Sequence, residues 1–300
     1  MPEIDCQELT NLYKGKYETY IAALDNTGRE KVRTEVFLDL SLDVTNFDRV
    51  EDSLEDMFTS GEMLLMKEGN GWRPEKGAEK VNAIKGNKWR VGNSVGDCGS
   101  GSVSGGNTKS SSSGGCLPKI LQLHLMRFNY DWQTGVMSKI NSRFGFGKVL
   151  NLKGVCTNDN DEEDENGGGV TVIQGDGLVY DLQSIVVHAG EFGSGHYYAY
   201  VRPNVKDNRW FRYDDDRVTQ VSFKEVKDDA FGGHVVNRLS KKERQEQLQG
   251  AGNQNRTKVG IWKRLFGSGG RRNQFGWGGR SSSAYMLQYV RRSDISFLYD

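Results

Sequence analysis

His196 stands in the run Gly193-Ser194-Gly195-His196-Tyr197-Tyr198-Ala199-Tyr200, and 18 residues later Asp214 opens a triple aspartate, Tyr213-Asp214-Asp215-Asp216. An imidazole followed by a carboxylate supplies two members of a nucleophilic triad. The ring takes a proton from the attacking group, and the acid fixes the ring's tautomer and direction. Gly193 and Gly195 let the backbone, and a substrate strand, pass close to that ring. Three adjacent aspartates alone read as a solvated turn. Behind the aromatic run Trp210–Tyr213 and downstream of His196, they read as the triad acid, with Asp214 foremost. Crowded carboxylates repel, so one titrates high unless a cation such as Arg217 or the imidazolium offsets it. His124 and His188 each lie inside an apolar run and read as core or hydrogen-bonding residues.

The pair lacks an evident nucleophile. The four cysteines, Cys6, Cys98, Cys116 and Cys156, are far apart and form no CxxC pair. A reactive thiol sits at a helix N-terminus or beside a base, where the thiolate is favoured. None of the four has that context in the sequence. The spacing also argues against a structural zinc and against a disulfide framework, and so for a reducing cytosolic or nuclear setting. The acidic loop Asp159–Glu165 lacks the central glycine of a calcium loop. Gly99-Ser100-Gly101 lacks the flanking strand and helix, and the Gly-Lys-Ser/Thr ending, of a phosphate loop.

The elements that must position His196 and Asp214 come from a chain of 300 residues with 36% hydrophobic content and 38 glycines. Glycine-rich polar tracts dilute the apolar fraction, and what remains suffices for one core. Lys+Arg and Asp+Glu are both 40, so net charge argues neither for nor against nucleic acid. No run of about 18 apolar residues predicts a membrane span, and Met1-Pro2-Glu3-Ile4-Asp5 is no secretory signal.

Lys16–Leu24 and Val32–Leu40 are β-branched and aromatic, with turn residues Asp25–Arg29 between them, which predicts a hairpin. Val50, Leu54, Met57 and Phe58 predict an amphipathic helix within 47–66, closed near Gly61. Leu117–Phe128, Val170–Ile173, Leu178–Leu182, Val186–Ala189, Tyr197–Val201, Trp210–Tyr213 and Ala284–Val290 read as strands. The predicted class is α+β around a mostly antiparallel sheet. Residues 92–116 are a Gly/Ser insertion that cannot order itself. A second insertion, 237–283, holds a short polar helix (Lys241–Gln249) and the basic, aromatic stretch Arg256–Arg280. That stretch reads as surface decoration, as a partner or nuclear-import contact, or as a single-strand-binding segment. Nucleic acid is not the expected partner. The expected organisation is thus 1–91, the insertion 92–116, 117–236 with the His and Asp runs, the insertion 237–283, and a closing strand with tail, 284–300.

Five runs in order carry a family resemblance: Leu123-His124-Leu125-Met126-Arg127-Phe128, Val186-Val187-His188-Ala189-Gly190, Gly195-His196-Tyr197-Tyr198, Tyr213-Asp214-Asp215-Asp216 and Ala284-Tyr285-Met286-Leu287-Gln288-Tyr289. Together they resemble the C-terminal two-thirds of ubiquitin-specific protease domains, the papain-like cysteine deubiquitinases. Lys14-Gly15-Lys16, Arg127-Phe128-Asn129-Tyr130-Asp131 and Phe231-Gly232-Gly233-His234 are similar to the herpesvirus-associated branch. The resemblance implies a papain-like fold with an antiparallel palm sheet and fingers hairpins, the latter including residues 16–40. It implies His196 as base, Asp214 as orienting acid and Asp215 as its support. It also implies contact with ubiquitin's C-terminal tail through Tyr130 and Asp131 of the loop 129–138, and through Gly193, Gly195 and Tyr197. No metal or organic cofactor is implied; ubiquitin and ubiquitinated proteins are the expected partners.

The chain departs from the family at one point. Family domains begin with a cysteine box, Asn-x-Gly-x-Thr-Cys-Tyr, which also brings an oxyanion-hole Asn or Gln and a helical thumb. Cys6, in Ile4-Asp5-Cys6-Gln7-Glu8, lies where the family pattern already enters the fingers. The chain reads as palm and fingers without the thumb, either a fragment of a longer protein or the product of a gene that lost that half. The expected function is that of a deubiquitinase domain lacking its nucleophile segment, inactive as this chain alone. The alternative, from a different class, is a non-catalytic ubiquitin-binding scaffold. A papain-like peptidase acting on ordinary peptides is a third reading that fits less well, since the chain shows neither a secretion signal nor paired cysteines.

Overall fold

The computed structural model describes residues 6–91, 116–158, 176–233 and 282–299. The Gly/Ser tract, the acidic loop, the expected strand Val170–Ile173, the polar helix Lys241–Gln249, the basic stretch and Cys98 lie outside the described residues.

Two sheets share one core. The larger has eight strands: β3 (Asp39–Asp43), β6 (Ile120–Met126), β9 (Val149–Asn151), β11 (Val179–Glu191), β12 (Ser194–Val201), β13 (Trp210–Asp214), β14 (Arg217–Val221) and β15 (Ser282–Arg291). Their order is β14-β13-β12-β11-β15-β6-β3, with β9 also on β11, and only β3 on β6 is parallel. The smaller sheet runs β10 (Cys156–Asn158), β5 (Ala83–Val91), β1 (Gly15–Ala23), β2 (Glu30–Phe37), with β4 (Gly61–Leu64) on β5. A separate hairpin joins β7 (Phe128–Asp131) and β8 (Val136–Lys139). The helices are α1 (Cys6–Tyr13), α2 (Val50–Thr59), α3 (Phe223–Ala230) and α4 (Ile295–Tyr299).

The residue patterns explain most of this. In α2, Val50, Leu54 and Phe58 recur at helical spacing and are buried, and the helix stops before Gly61, which opens β4. The first hairpin forms as β1 on β2, but the chain leaves it after Phe37, and Leu40 and Leu42 instead bury in β3 against β6. The runs 178–182 and 186–189 merge into one strand of 13 residues, Val179–Glu191, with Leu178 closing the short helical turn before it. A register shift between Leu182 and Ser184 absorbs the break in pattern. Between the smaller sheet and α2, Trp89 is fully buried, its ring 4.9 Å from Phe58 and 5.5 Å from Phe37. Among the described residues no helix is long and apolar enough to cross a membrane.

Candidate active site

Three neighbouring strands bring the histidine and the aspartates together. β11 turns into β12 through Phe192-Gly193, with Glu191 opposite Ser194, and Gly193 takes a φ of +80° that this turn requires. β12 then pairs with β13, Tyr200 opposite Arg212. β13 ends at Asp214, which faces Arg217 across the tight turn Asp215-Asp216. Asp215 adopts a left-handed φ of 53°, tolerated by aspartate better than by most residues.

His196 Nε2 lies 2.5 Å from Asp214 Oδ1 and 4.0 Å from Asp215 Oδ2. The other Asp214 oxygen, Oδ2, accepts from Arg212 Nη2 at 2.6 Å. The offsetting cation is therefore Arg212 and not Arg217; residues two apart on a strand share a face, so Arg212 stands beside Asp214. The hydrogen bond to Asp214 raises the His196 pKa above its ordinary value, with Asp215 adding to it. The same bond, helped by Arg212, lowers that of Asp214. With Nε2 engaged, Nδ1 is the nitrogen left to exchange a proton with a substrate-side group. The His196 side chain as a whole is about half exposed.

The five residues implied as ubiquitin contacts separate in the structure. The loop 129–138 is the β7–β8 hairpin, and Asp131 builds its turn, accepting from Gln133 N at 2.9 Å and Thr134 Oγ1 at 2.8 Å. Its carboxylate is committed to the turn. Tyr130 is exposed and meets Trp132 edge-on at 4.7 Å; Trp132, unassigned from sequence, is 88% exposed at the hairpin tip. Phe128, at the hairpin's base, touches Phe192 and His188, so the two hairpins adjoin. Tyr197 alternates to the face opposite His196, and packs on His188. The space that Gly195 leaves is taken by His188: a Cβ there would fall 2.2 Å from its Nε2. Gly195, itself exposed, thus also makes room for a neighbouring ring.

Among the described residues, the side chains within ion-pair reach of the His196 ring are Asp214 and Asp215. Cys156 is buried in β10, and burial pushes its thiol well up. Cys116 is disulfide-bonded, against the sequence expectation of no bridge. Cys6 does open a helix, also against expectation. The chain leaving α1 is bridged at Lys16 to Cys116, just before β6, at the end of the large sheet away from His196. By register, Ile120 at that end pairs with Val290, which pairs with Asp181, eight residues along β11 from the partner of His196. Eight residues of strand span about 26 Å.

His196 Nε2 and one oxygen each of Asp214 and Asp215 lie within 4.8 Å of one another, close enough to surround a cation. The Arg212 guanidinium already holds one Asp214 oxygen and would repel a second positive charge. The donor set suits a hydrogen-bonded base and acid better than a metal.

A sequence model described as ubiquitin carboxyl-terminal hydrolase matches residues 3–289. Ubiquitin carboxyl-terminal hydrolase 15 of Schizosaccharomyces pombe is 31% identical over 234 residues, covering 77% of this chain and 17% of that protein. Its namesake in Saccharomyces cerevisiae is 30% identical over 232 residues, 75% of this chain and 16% of that protein. Among solved structures, the SAGA Ubp8/Sgf11/Sus1/Sgf73 DUB module bound to ubiquitin aldehyde aligns over 97% of this chain and 44% of the matched chain, with a TM-score of 0.57 at 21% identity. That match shows a shared fold. The chain spans about a sixth of the length of these curated relatives.

Proposed function

Because the chain belongs to the ubiquitin carboxyl-terminal hydrolase family, we propose that it is the ubiquitin-recognising, base-and-acid-bearing part of a thiol-dependent deubiquitinase, from the herpesvirus-associated branch. One observation carries this reading: His196 Nε2 on one oxygen of Asp214, with the other oxygen tied to Arg212. That arrangement fixes the imidazole with its proton on Nε2 and leaves Nδ1 as a base.

In the reaction, Nδ1 takes the proton of a cysteine thiol and the sulfur attacks the carbonyl carbon of ubiquitin's terminal glycine. The C–N bond then breaks, and the imidazolium returns the proton to the departing amine. Water, deprotonated by the same nitrogen, cleaves the thioester and restores the thiol. Asp214 stabilises the imidazolium formed midway. The sulfur comes from another stretch of polypeptide: Cys156 is buried and Cys116 is disulfide-bonded, and none of the four cysteines has the sequence context of a reactive thiol. Tyr130, Trp132 and Tyr197 supply apolar contact for ubiquitin. The relatives' names and the ubiquitin in the similar solved structure support the choice of ubiquitin. No cofactor enters this scheme.

The lack of a described thiol beside His196 also favours a second reading, a ubiquitin-binding scaffold without chemistry. One pair of measurements covers both: calorimetric titration with ubiquitin, and exposure to ubiquitin bearing a C-terminal electrophile. Binding without labelling is expected of the chain alone. Labelling of any of the four cysteines overturns the nucleophile assignment, and loss of ubiquitin binding overturns both readings. Adding the cysteine-bearing segment in trans then separates them, because only the enzyme gains hydrolysis. The reading places the protein in the cytosol or nucleus; a thiol count on protein from cells tests this, as a reducing compartment opens the Cys116 bridge.

A further inference from the structure

Asp214 ends a strand beside two further carboxylates, Asp215 and Asp216, and its side chain is partly exposed. Left to itself in water, such a carboxylate would turn freely and offer His196 either oxygen or neither. Its one strong constraint besides His196 is the guanidinium of Arg212, 2.6 Å from Oδ2.

That guanidinium is itself held. It lies 4.0 Å over the ring of Tyr198, on the neighbouring strand. The Tyr198 hydroxyl donates to Asp229 Oδ2 at 2.5 Å, that of Tyr200 donates to the same oxygen at 2.8 Å, and Ser282 Oγ donates to Oδ1 at 2.6 Å. Asp229 sits near the end of α3, whose start is fixed by a capping box between Ser222 and Glu225. The His196 ring lies roughly parallel to the same Tyr198 ring, 6.1 Å away. An unbroken run of contacts thus leads from a capped helix to the imidazole.

We propose that Arg212 is a positioning residue for the His196–Asp214 pair: it pins one carboxylate oxygen so that the other faces Nε2, and the Tyr198–Asp229 contact keeps the guanidinium in register. The inference rests on the reading of His196 and Asp214 as base and acid. A planar fork that can stack and donate at once is required, and a lysine ammonium cannot do both. The bland alternative is a surface ion pair of little consequence.

Ring-nitrogen chemical shifts of the 15N-labelled 300-residue chain separate the two, since they report which nitrogen of the neutral imidazole holds the proton. A His196→Gln variant assigns the signals. The unmodified chain is expected to show one tautomer, with the proton on Nε2. Arg212→Met is expected to lower the ratio of the Nε2 to the Nδ1 tautomer about tenfold, the size of losing one aimed charge-assisted hydrogen bond. Arg212→Lys, which keeps the charge and loses the fork, is expected to lower it too. An unchanged ratio in Arg212→Met, or full retention in Arg212→Lys, overturns the proposal. If Arg212→Met fails to fold, the lysine variant decides by the same ratio. A mixture of tautomers in the unmodified chain defeats the base-and-acid reading itself, and this proposal with it.

Discussion

The Nζ of Lys139 lies 3.0 Å from the carbonyl oxygen of Gly190, and the same group donates to the carbonyl of His188 at 2.9 Å. One buried ammonium at the end of β8 therefore fastens the β7–β8 hairpin to the strand that precedes the His196 turn. Burial, with the nearby Arg127 guanidinium, brings its pKa from 10.5 down to about 8.

That shift has a sign. The folded chain releases the Lys139 proton near pH 8 and the unfolded chain near 10.5, so between them the unfolded state binds more protons and stability rises with pH. Against Lys139→Met, which lacks this contribution, the parent chain is expected to gain on the order of 1 kcal/mol between pH 7.5 and about pH 9.5, after allowance for solvent screening. Urea melts of both proteins at the two pH values measure it. A gap that stays constant or narrows contradicts the assignment.

The His196–Asp214 pair has its own window. Asp214, with its pKa depressed, contributes stability above the ordinary aspartate range and loses it as pH falls through the lowered value. His196, with its pKa raised, contributes fully below the ordinary histidine value and loses this as pH rises through the raised one. Asp214→Asn should therefore bring the His196 titration midpoint down, as followed by the ring-proton NMR signal. A midpoint that stays put would mean the hydrogen bond does not set the charge state.

Gly195→Ala should be costly. The new methyl would meet His188 Nε2 at 2.2 Å and the Ala189 carbonyl oxygen at 2.6 Å, and the backbone atom cannot swing aside. A loss of about 1–3 kcal/mol is expected from such overpacking, together with weaker ubiquitin binding. Denaturant melts and ubiquitin titration of the variant read the two effects.

Trp89→Ala removes the fully buried ring between Phe37 and Phe58. About 3–5 kcal/mol of stability should go with it. A midpoint shift in urea corresponding to less than about 1 kcal/mol would show that the ring is not packed between Phe37 and Phe58.

The sequence made some of this legible and hid the rest for physical reasons. Helix α2 could be read because Val50, Leu54 and Phe58 repeat at its pitch, and β12 and β13 because aromatic and β-branched side chains crowd them. β5 escaped: Ala83-Ile84-Lys85-Gly86-Asn87-Lys88-Trp89 shows no alternation, and its strand character comes from partners on both sides. α3 escaped as well, although Ser222 followed by Glu225 is a helix-start signal that its polar composition overshadowed. At the site, the histidine and the acid stood out by type, whereas Arg212 is visible only through the two-residue repeat of a strand already known to be one. Gly195 has a packing role that the chain order does not reveal, because His188 stands where its Cβ would lie.

β15 lies between β11 and β6 in the middle of the large sheet, yet it follows every other described strand along the chain. During synthesis, the two strands it will separate leave the ribosome first, each presenting an unpaired backbone edge. Their apolar faces and free amides wait more than 90 residues for the segment that joins them. Nascent chains arrested just before Ser282 should accordingly be held by chaperones and cut readily by protease, and release of the last stretch should close the sheet in one late step.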